Sequence, residues 1–114
     1  MAKTEKEKEV TREERRLQGL FAEIPENKKA TVAGLIENAA FMRCELRHLR
    51  QVILEEGPTV SAMTGNGYEK TTENPAIKNY NSMLGKYNYT IKLLLSLLPD
   101  EALHDEFLDF VNSR

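Results

Sequence analysis

Apolar positions along this chain fall into two long registers with the same beat. Val32, Leu35, Ala39, Met42, Leu46, Leu49 and Ile53 are spaced 3,4,3,4,3,4, and so are Ile77, Tyr80, Leu84, Tyr87, Ile91, Leu94 and Leu98. That alternation keeps the side chains on one face of an α-helix, as in a heptad seam. The first register predicts a helix from about Asn27 to Glu56, roughly 45 Å long at the usual rise per residue. Ile36 and Ala40 widen its apolar stripe. Gly57 suits a left-handed C-cap, and Pro58 forbids continuation. The second register opens with Asn74 as N-cap and Pro75 at the first helical position, and Pro99 stops it. Met83 and Leu97 flank this seam, and Leu93 and Leu95 make its last turns apolar nearly all round.

The intervening stretch changes character. T-V-S-A-M and Y-E-K-T-T contain strand formers on either side of T-G-N-G, and Asn66-Gly67 is a favoured tight-turn pair. The pattern predicts a small β-hairpin, with a surface loop as the alternative. Ahead of the long helices, Leu17, Leu20, Phe21 and Ile24 mark the inner side of a short helix. It begins at a Thr11/Glu14 capping box and ends near Glu23, before Pro25. Residues 1–10 alternate Lys and Glu with almost no apolar content and read as a disordered charged arm. Beyond Pro99, Asp100 can cap a short final helix with Leu103, Phe107 and Val111 as its stripe and Phe110 beside them.

The expected fold is mainly all-α: a short N-terminal helix and a long antiparallel αα-hairpin, with a small β-hairpin between the long helices. Its parts are a disordered arm over 1–10, a helical core and oligomerisation domain over 11–99, and an acidic tail helix over 100–114. Two wide seams exceed what one short helix can cover, and no sequence remains for a further domain. Self-association through Ile77, Tyr80, Leu84, Tyr87, Ile91, Leu94 and Leu98 is therefore expected, a monomeric three-helix bundle being the alternative.

Composition narrows the class. The chain has 114 residues, 40% hydrophobic and 30% charged, more charge than an average globular domain. No apolar run approaches a membrane span, and the charged N-terminus is no secretory signal. The single cysteine, Cys44, cannot form an internal disulfide, which suits a reducing cytoplasm. Net charge is −2, but residues 1–98 carry 15 basic and 13 acidic groups while residues 99–114 carry one basic and five acidic. A mildly basic body permits nucleic-acid binding without demanding it.

Candidate catalytic chemistry is thin. Cys44 and His48 share a helix face and could begin a zinc site, but no second pair exists, so a semi-buried cysteine and a surface histidine are expected. T-G-N-G-Y lacks the G-K-[ST] ending of a phosphate loop. Glu55 and Glu56 are adjacent and point to different sides, so they do not converge on one reacting centre. No enzyme, metal or cofactor is expected. Basic residues say more. Arg12, Arg15 and Arg16 recur at helical spacing, Lys28 and Lys29 follow the Pro25 turn, and Arg43, Arg47 and Arg50 form a stripe at the edge of the second helix's seam. Lys78, Lys86 and Lys92 lie on the outer side of the third. Arg12, Arg15, Arg16, Lys28 and Lys29 cluster on a short, exposed element and are the expected DNA contacts; repeated around an oligomer, such a patch becomes a cationic band. The helix–turn–helix order there is only a loose likeness to the DNA-binding motif. Tyr68 and Tyr89 could stack on bases, whereas Tyr80 and Tyr87 belong to the seam.

The order of segments resembles a known family. L-F-A-E-I-P-E-N-K-K-A-T-V-A-G-L-I-E-N-A-A-F-M-R-C-E-L leads into the helix that ends at Gly57, followed by a Gly-rich hairpin. E-N-P-A-I-K-N-Y-N-S-M-L-G-K-Y-N-Y-T-I-K-L-L-L-S-L-L-P comes next, and the tail closes on F-L-D-F-V-N-S-R. Over about residues 17–114 this is similar to the phage and prophage small terminase subunits of Gram-positive bacteria. The N-P-A-x-K motif at Asn74–Lys78 and the L-L-P close at Leu97–Pro99 carry most of the likeness. The resemblance implies a non-catalytic DNA-packaging accessory in the host cytoplasm. Such a subunit forms rings, binds double-stranded DNA and regulates a large terminase subunit that holds the ATPase and nuclease. Leu103, Phe107, Phe110 and Val111 are then the expected docking face for that partner, folding back onto their own subunit being the alternative. A helical adaptor of phage origin that binds protein and not DNA is the second expectation.

Overall fold

The computed structural model describes residues 4–22, 24–98 and 101–112, apart from the side chains at 101–104 and 110. Helix α1 spans Glu5–Gln18 and passes into a 3-10 turn at Gly19–Phe21; α2 spans Glu26–Glu56. Strands β1 (Thr59–Met63) and β2 (Glu69–Glu73) follow, then α3 (Pro75–Leu97) and α4 (Glu101–Asn112). The mainly helical architecture with a two-stranded sheet between the long helices matches the expectation.

The N-terminal arm does not. Residues 5–10 are helical, so α1 begins a full heptad before the expected start. The T-x-x-E capping pattern occurs twice, and the chain uses the upstream copy. Thr4 Oγ1 accepts the Glu7 amide at 3.1 Å, and its hydroxyl donates to Glu7 Oε1 at 3.2 Å. Thr11 lies inside the helix, where its hydroxyl donates back to the Glu7 carbonyl at 3.0 Å, a common way for a mid-helix threonine to satisfy itself. The charged half of α1 is also tied to α2, by Lys6–Glu45 at 3.1 Å and His48–Glu9 at 3.2 Å. Residues 1–3 and Glu23 lie outside the described residues.

The helix boundaries that flank the hairpin follow the sequence closely, with one difference of geometry at each glycine. Gly57 donates its amide to the Ile53 carbonyl at 2.8 Å. Its φ of 82° is paired with ψ of −174°, a conformation reached by glycine and not the left-handed helical one. Asn66-Gly67 is not a two-residue turn either. Gly67 has φ +82° while no non-glycine residue among those described has positive φ. The loop is instead built on a β-turn closed by the Gly67 amide on the Thr64 carbonyl at 3.0 Å, as wider hairpin loops are. The strands pair antiparallel with Val60 opposite Thr72 and Met63 opposite Glu69. Every residue of β2 is exposed and only Val60 of β1 is half-buried.

The core runs lengthwise between α2 and α3 and is closed at one end by α1 and α4. Leu17, Phe21, Ile24, Val32, Ile36, Ala39, Leu46, Tyr87, Leu94, Leu98 and Phe107 are its buried members. The molecule measures 61 × 36 × 24 Å, a proportion set by the length of the paired helices.

Candidate functional site

Charge is distributed unevenly among the helices. α1 and α2 each carry five basic and five acidic residues, whereas α3 carries Lys78, Lys86 and Lys92 and no acid. The basic residues expected to touch DNA gather where α1 turns into α2. Arg15 and Arg16 occupy the last turn of α1, and Lys28 and Lys29 the first turn of α2. Arg12 and Arg15 are exposed and line a shallow groove with Lys8 and Thr11. Two of the five are already compensated. Arg16 Nη2 donates to Glu13 Oε2 at 3.0 Å, and Glu13 is buried. Lys29 pairs with Glu26 at 2.9 Å. Arg12, Arg15 and Lys28 form no ion pair among the described residues.

The residues expected to mediate oligomerisation lie elsewhere than on a free face. Tyr87, Leu94 and Leu98 are buried in the core, and Tyr80, Leu84 and Ile91 pack against it half-buried; Ile77 is half-buried. The α3 seam is covered by α2 of the same chain, because the two heptad registers match and lie antiparallel. Arg43 of α2 lies over the Tyr87 ring, 5.9 Å from its centroid.

The tail takes the fold-back alternative. Phe107 is 0% exposed and meets Phe21 edge-to-face, with ring centroids 5.7 Å apart and planes at 79°. Val111 packs half-buried against the core. These two side chains are therefore structural and not presented to a partner; the side chains of Leu103 and Phe110 lie outside the described residues. Among its described side chains, α4 exposes Asp105, Glu106, Leu108, Asp109 and Asn112.

Cys44 is more deeply buried than expected, at 3% exposure, and burial pushes its thiol above the ordinary 9.0, against the lowering effect of nearby Arg47. Such a thiol is a poor nucleophile and a poor thiolate ligand at neutral pH. His48 is engaged by Glu9, so the two do not act as a pair. With Val10, Thr11 and Phe41 they wall an open groove of about 500 Å³ between α1 and α2. Among the described residues no group of three or more His, Cys, Asp or Glu side chains gathers to hold a metal ion, and no helix is long and apolar enough to cross a membrane. Tyr68 and Tyr89 are exposed while Tyr87 is buried and Tyr80 half-buried, as the seam predicts.

Asn74 carries more than sequence showed. It is 2% exposed; its Oδ1 accepts the Ala76 amide at 3.0 Å and its Nδ2 donates to the Gly57 carbonyl at 2.9 Å. The asparagine of the N-P-A-x-K motif thus caps α3 and clamps it to the end of α2, which fixes the root of the hairpin. Comparison with known proteins gives no match to a family model, to a curated protein or to a solved structure, so the functional reading rests on the chain's own residues.

Proposed function

We propose that this chain is a non-catalytic DNA-packaging accessory of a phage or prophage, similar to a small terminase subunit. In this reading it works in the cytoplasm of the bacterial host as a homo-oligomer, binds double-stranded DNA and regulates a large terminase subunit. The observation that carries the reading is the cationic trio of exposed Arg12 and Arg15 with half-buried Lys28, without ion pairs near the α1–α2 turn, on a helical body with no converging catalytic groups among its described residues. Three such groups per subunit give weak binding. Repeated around an oligomer, they add phosphate contacts, each steepening the salt dependence by about 0.9 in log–log slope. The segment order that underlies the resemblance supports the same reading.

The test is a gel shift with duplex DNA from the packaging region, at about 50 and about 200 mM salt. The wild-type protein should shift DNA at the lower salt and release it at the higher. Arg12→Glu with Arg15→Glu should abolish the shift while leaving the helical signal unchanged. One observation favours a second reading: α1 balances its five bases with five acids. A wild-type protein that shifts no DNA at low salt supports a phage-derived helical adaptor that binds protein partners and not DNA.

A further inference from the structure

The cleft between α2 and α3 carries charge that the fold leaves uncompensated. Arg43, Arg47 and Arg50 follow one another along α2, and together with Leu46, Tyr80 and Leu84 they line a small cleft of about 90 Å³. Arg47 and Arg50 are exposed, and Arg43 is engaged only with the Tyr87 ring. None of the three forms a hydrogen bond or ion pair among the described residues. The helix that makes the other wall, α3, has no acid to offer them.

The complementary charge sits on the last helix. Asp105, Glu106 and Asp109 are exposed and form no ion pair among the described residues, and Leu108 stands among them at 40% exposure. Phe107 anchors α4 at Phe21, in the turn that precedes α2, whereas the arginines occupy the second half of α2. One chain therefore holds its own two patches at different ends.

We infer that the arginine-lined cleft is the docking site for α4 of a second copy of this chain. Leu108 of the neighbour enters between Leu46, Tyr80 and Leu84, while Asp105, Glu106 and Asp109 of the neighbour face Arg43, Arg47 and Arg50. The i, i+3 spacing of Glu106 and Asp109 matches that of Arg47 and Arg50, and guanidinium forks suit carboxylates. Ion pairs of this exposed kind add little affinity each, but they steer the encounter and fix its register. The apolar floor of the cleft favours this occupant over DNA, which has no aliphatic knob to place there. The two patches differ, so the contact is heterologous and passes from subunit to subunit until a ring closes. The inference rests on the self-association in the proposed function and names the surfaces that produce it.

The experiment measures mass by light scattering after size exclusion, with a duplex-DNA gel shift on the same samples. Three variants join the wild type: Arg47→Glu with Arg50→Glu, Glu106→Lys with Asp109→Lys, and all four substitutions in one chain. The wild type should be an oligomer. Each two-fold variant should fall to a 13.0 kDa species with unchanged helical signal, and the four-fold variant, its charges exchanged, should recover the wild-type mass. Assembly that survives both two-fold variants overturns the docking while leaving self-association intact, and a four-fold variant that stays monomeric also overturns it. A monomeric wild type overturns both together. An arginine variant that stays assembled but loses the DNA shift assigns the cleft to DNA and overturns the docking.

Discussion

Asn74 shows how one side chain can hold two helices and a hairpin in register. Its side-chain oxygen serves the first turn of α3, its side-chain nitrogen reaches the Gly57 carbonyl at 2.9 Å, and its own amide donates to the Pro58 carbonyl at 2.9 Å. The sequence marked Asn74 as an N-cap from its place before Pro75. Its second role was not legible, because the acceptor lies 17 residues away and depends on how the hairpin closes. Asn74→Ala removes the cap, a loss of about 1 kcal/mol, and strands a partly buried carbonyl, a further ~1–2 kcal/mol. At roughly 4–8 °C per kcal/mol for a domain of this size, thermal melting followed by circular dichroism should fall by about 10 °C or more. Asn74→Asp keeps the acceptor for Ala76 but turns a buried carboxylate oxygen toward the Gly57 carbonyl and the Glu56 carboxylate, the latter 3.4 Å from the native amide nitrogen, so its melting temperature should fall at least as far as that of the alanine variant. An alanine variant that melts within two degrees of wild type, on a scale set by the same slope, would show that the clamp contributes nothing.

Among the elements, the paired long helices were legible in full and the two terminal ones in part: both were expected as helices, but neither the start of α1 nor the seat of α4 could be read, for a physical reason in each case. The seams of α2 and α3 are local patterns that repeat over many turns, so each reports its own helix and its buried face. The first turns of α1 have no apolar stripe. They are helical because Thr4 caps them and because Lys6 and Glu9 reach Glu45 and His48, partners 39 residues away. The acidic tail offered two equal solutions, folding back or waiting for a partner, and only the position of Phe21 decides between them. With Phe107 fully buried against that ring, Phe107→Ala should cost about 3–5 kcal/mol, the usual range for a buried aromatic. Deleting residues 100–114 should lower the melting temperature further or cause concentration-dependent aggregation, since it uncovers Phe21 and the end of the α2–α3 core. A truncated protein with wild-type melting would mean that the tail does not support the fold. The sequence also left the DNA and assembly sites unresolved: spacing placed Arg16 and Lys29 with Arg12 and Arg15, but only the fold shows that Glu13 and Glu26 compensate them.

At the scale of the molecule, shape follows from the decision to bury two straight seams side by side. A compact domain of about 100 residues has a radius of gyration near 13 Å, and an unfolded chain of that length about 30 Å. This chain has 18.2 Å, with a long axis of 61 Å. α1 lies against α2 as far as Glu45 and His48 and α4 covers the end near Phe21, while the fully exposed strand β2 carries no second layer. Such a rod has a high ratio of surface to volume, which keeps large apolar side chains such as Phe41, Leu54 and Met63 at least half exposed and makes association of rods the economical way to cover them. The rod itself should not depend on that association, because its seams are satisfied within one chain. Small-angle X-ray scattering on the Arg47→Glu, Arg50→Glu protein, dissociated as above, should therefore give a radius of gyration close to 18.2 Å and a maximum dimension above the 61 Å backbone extent by the length of the side chains. A monomer near 13 Å would mean that the helices collapse onto one another when freed, and one near 30 Å that the chain needs its neighbours to fold.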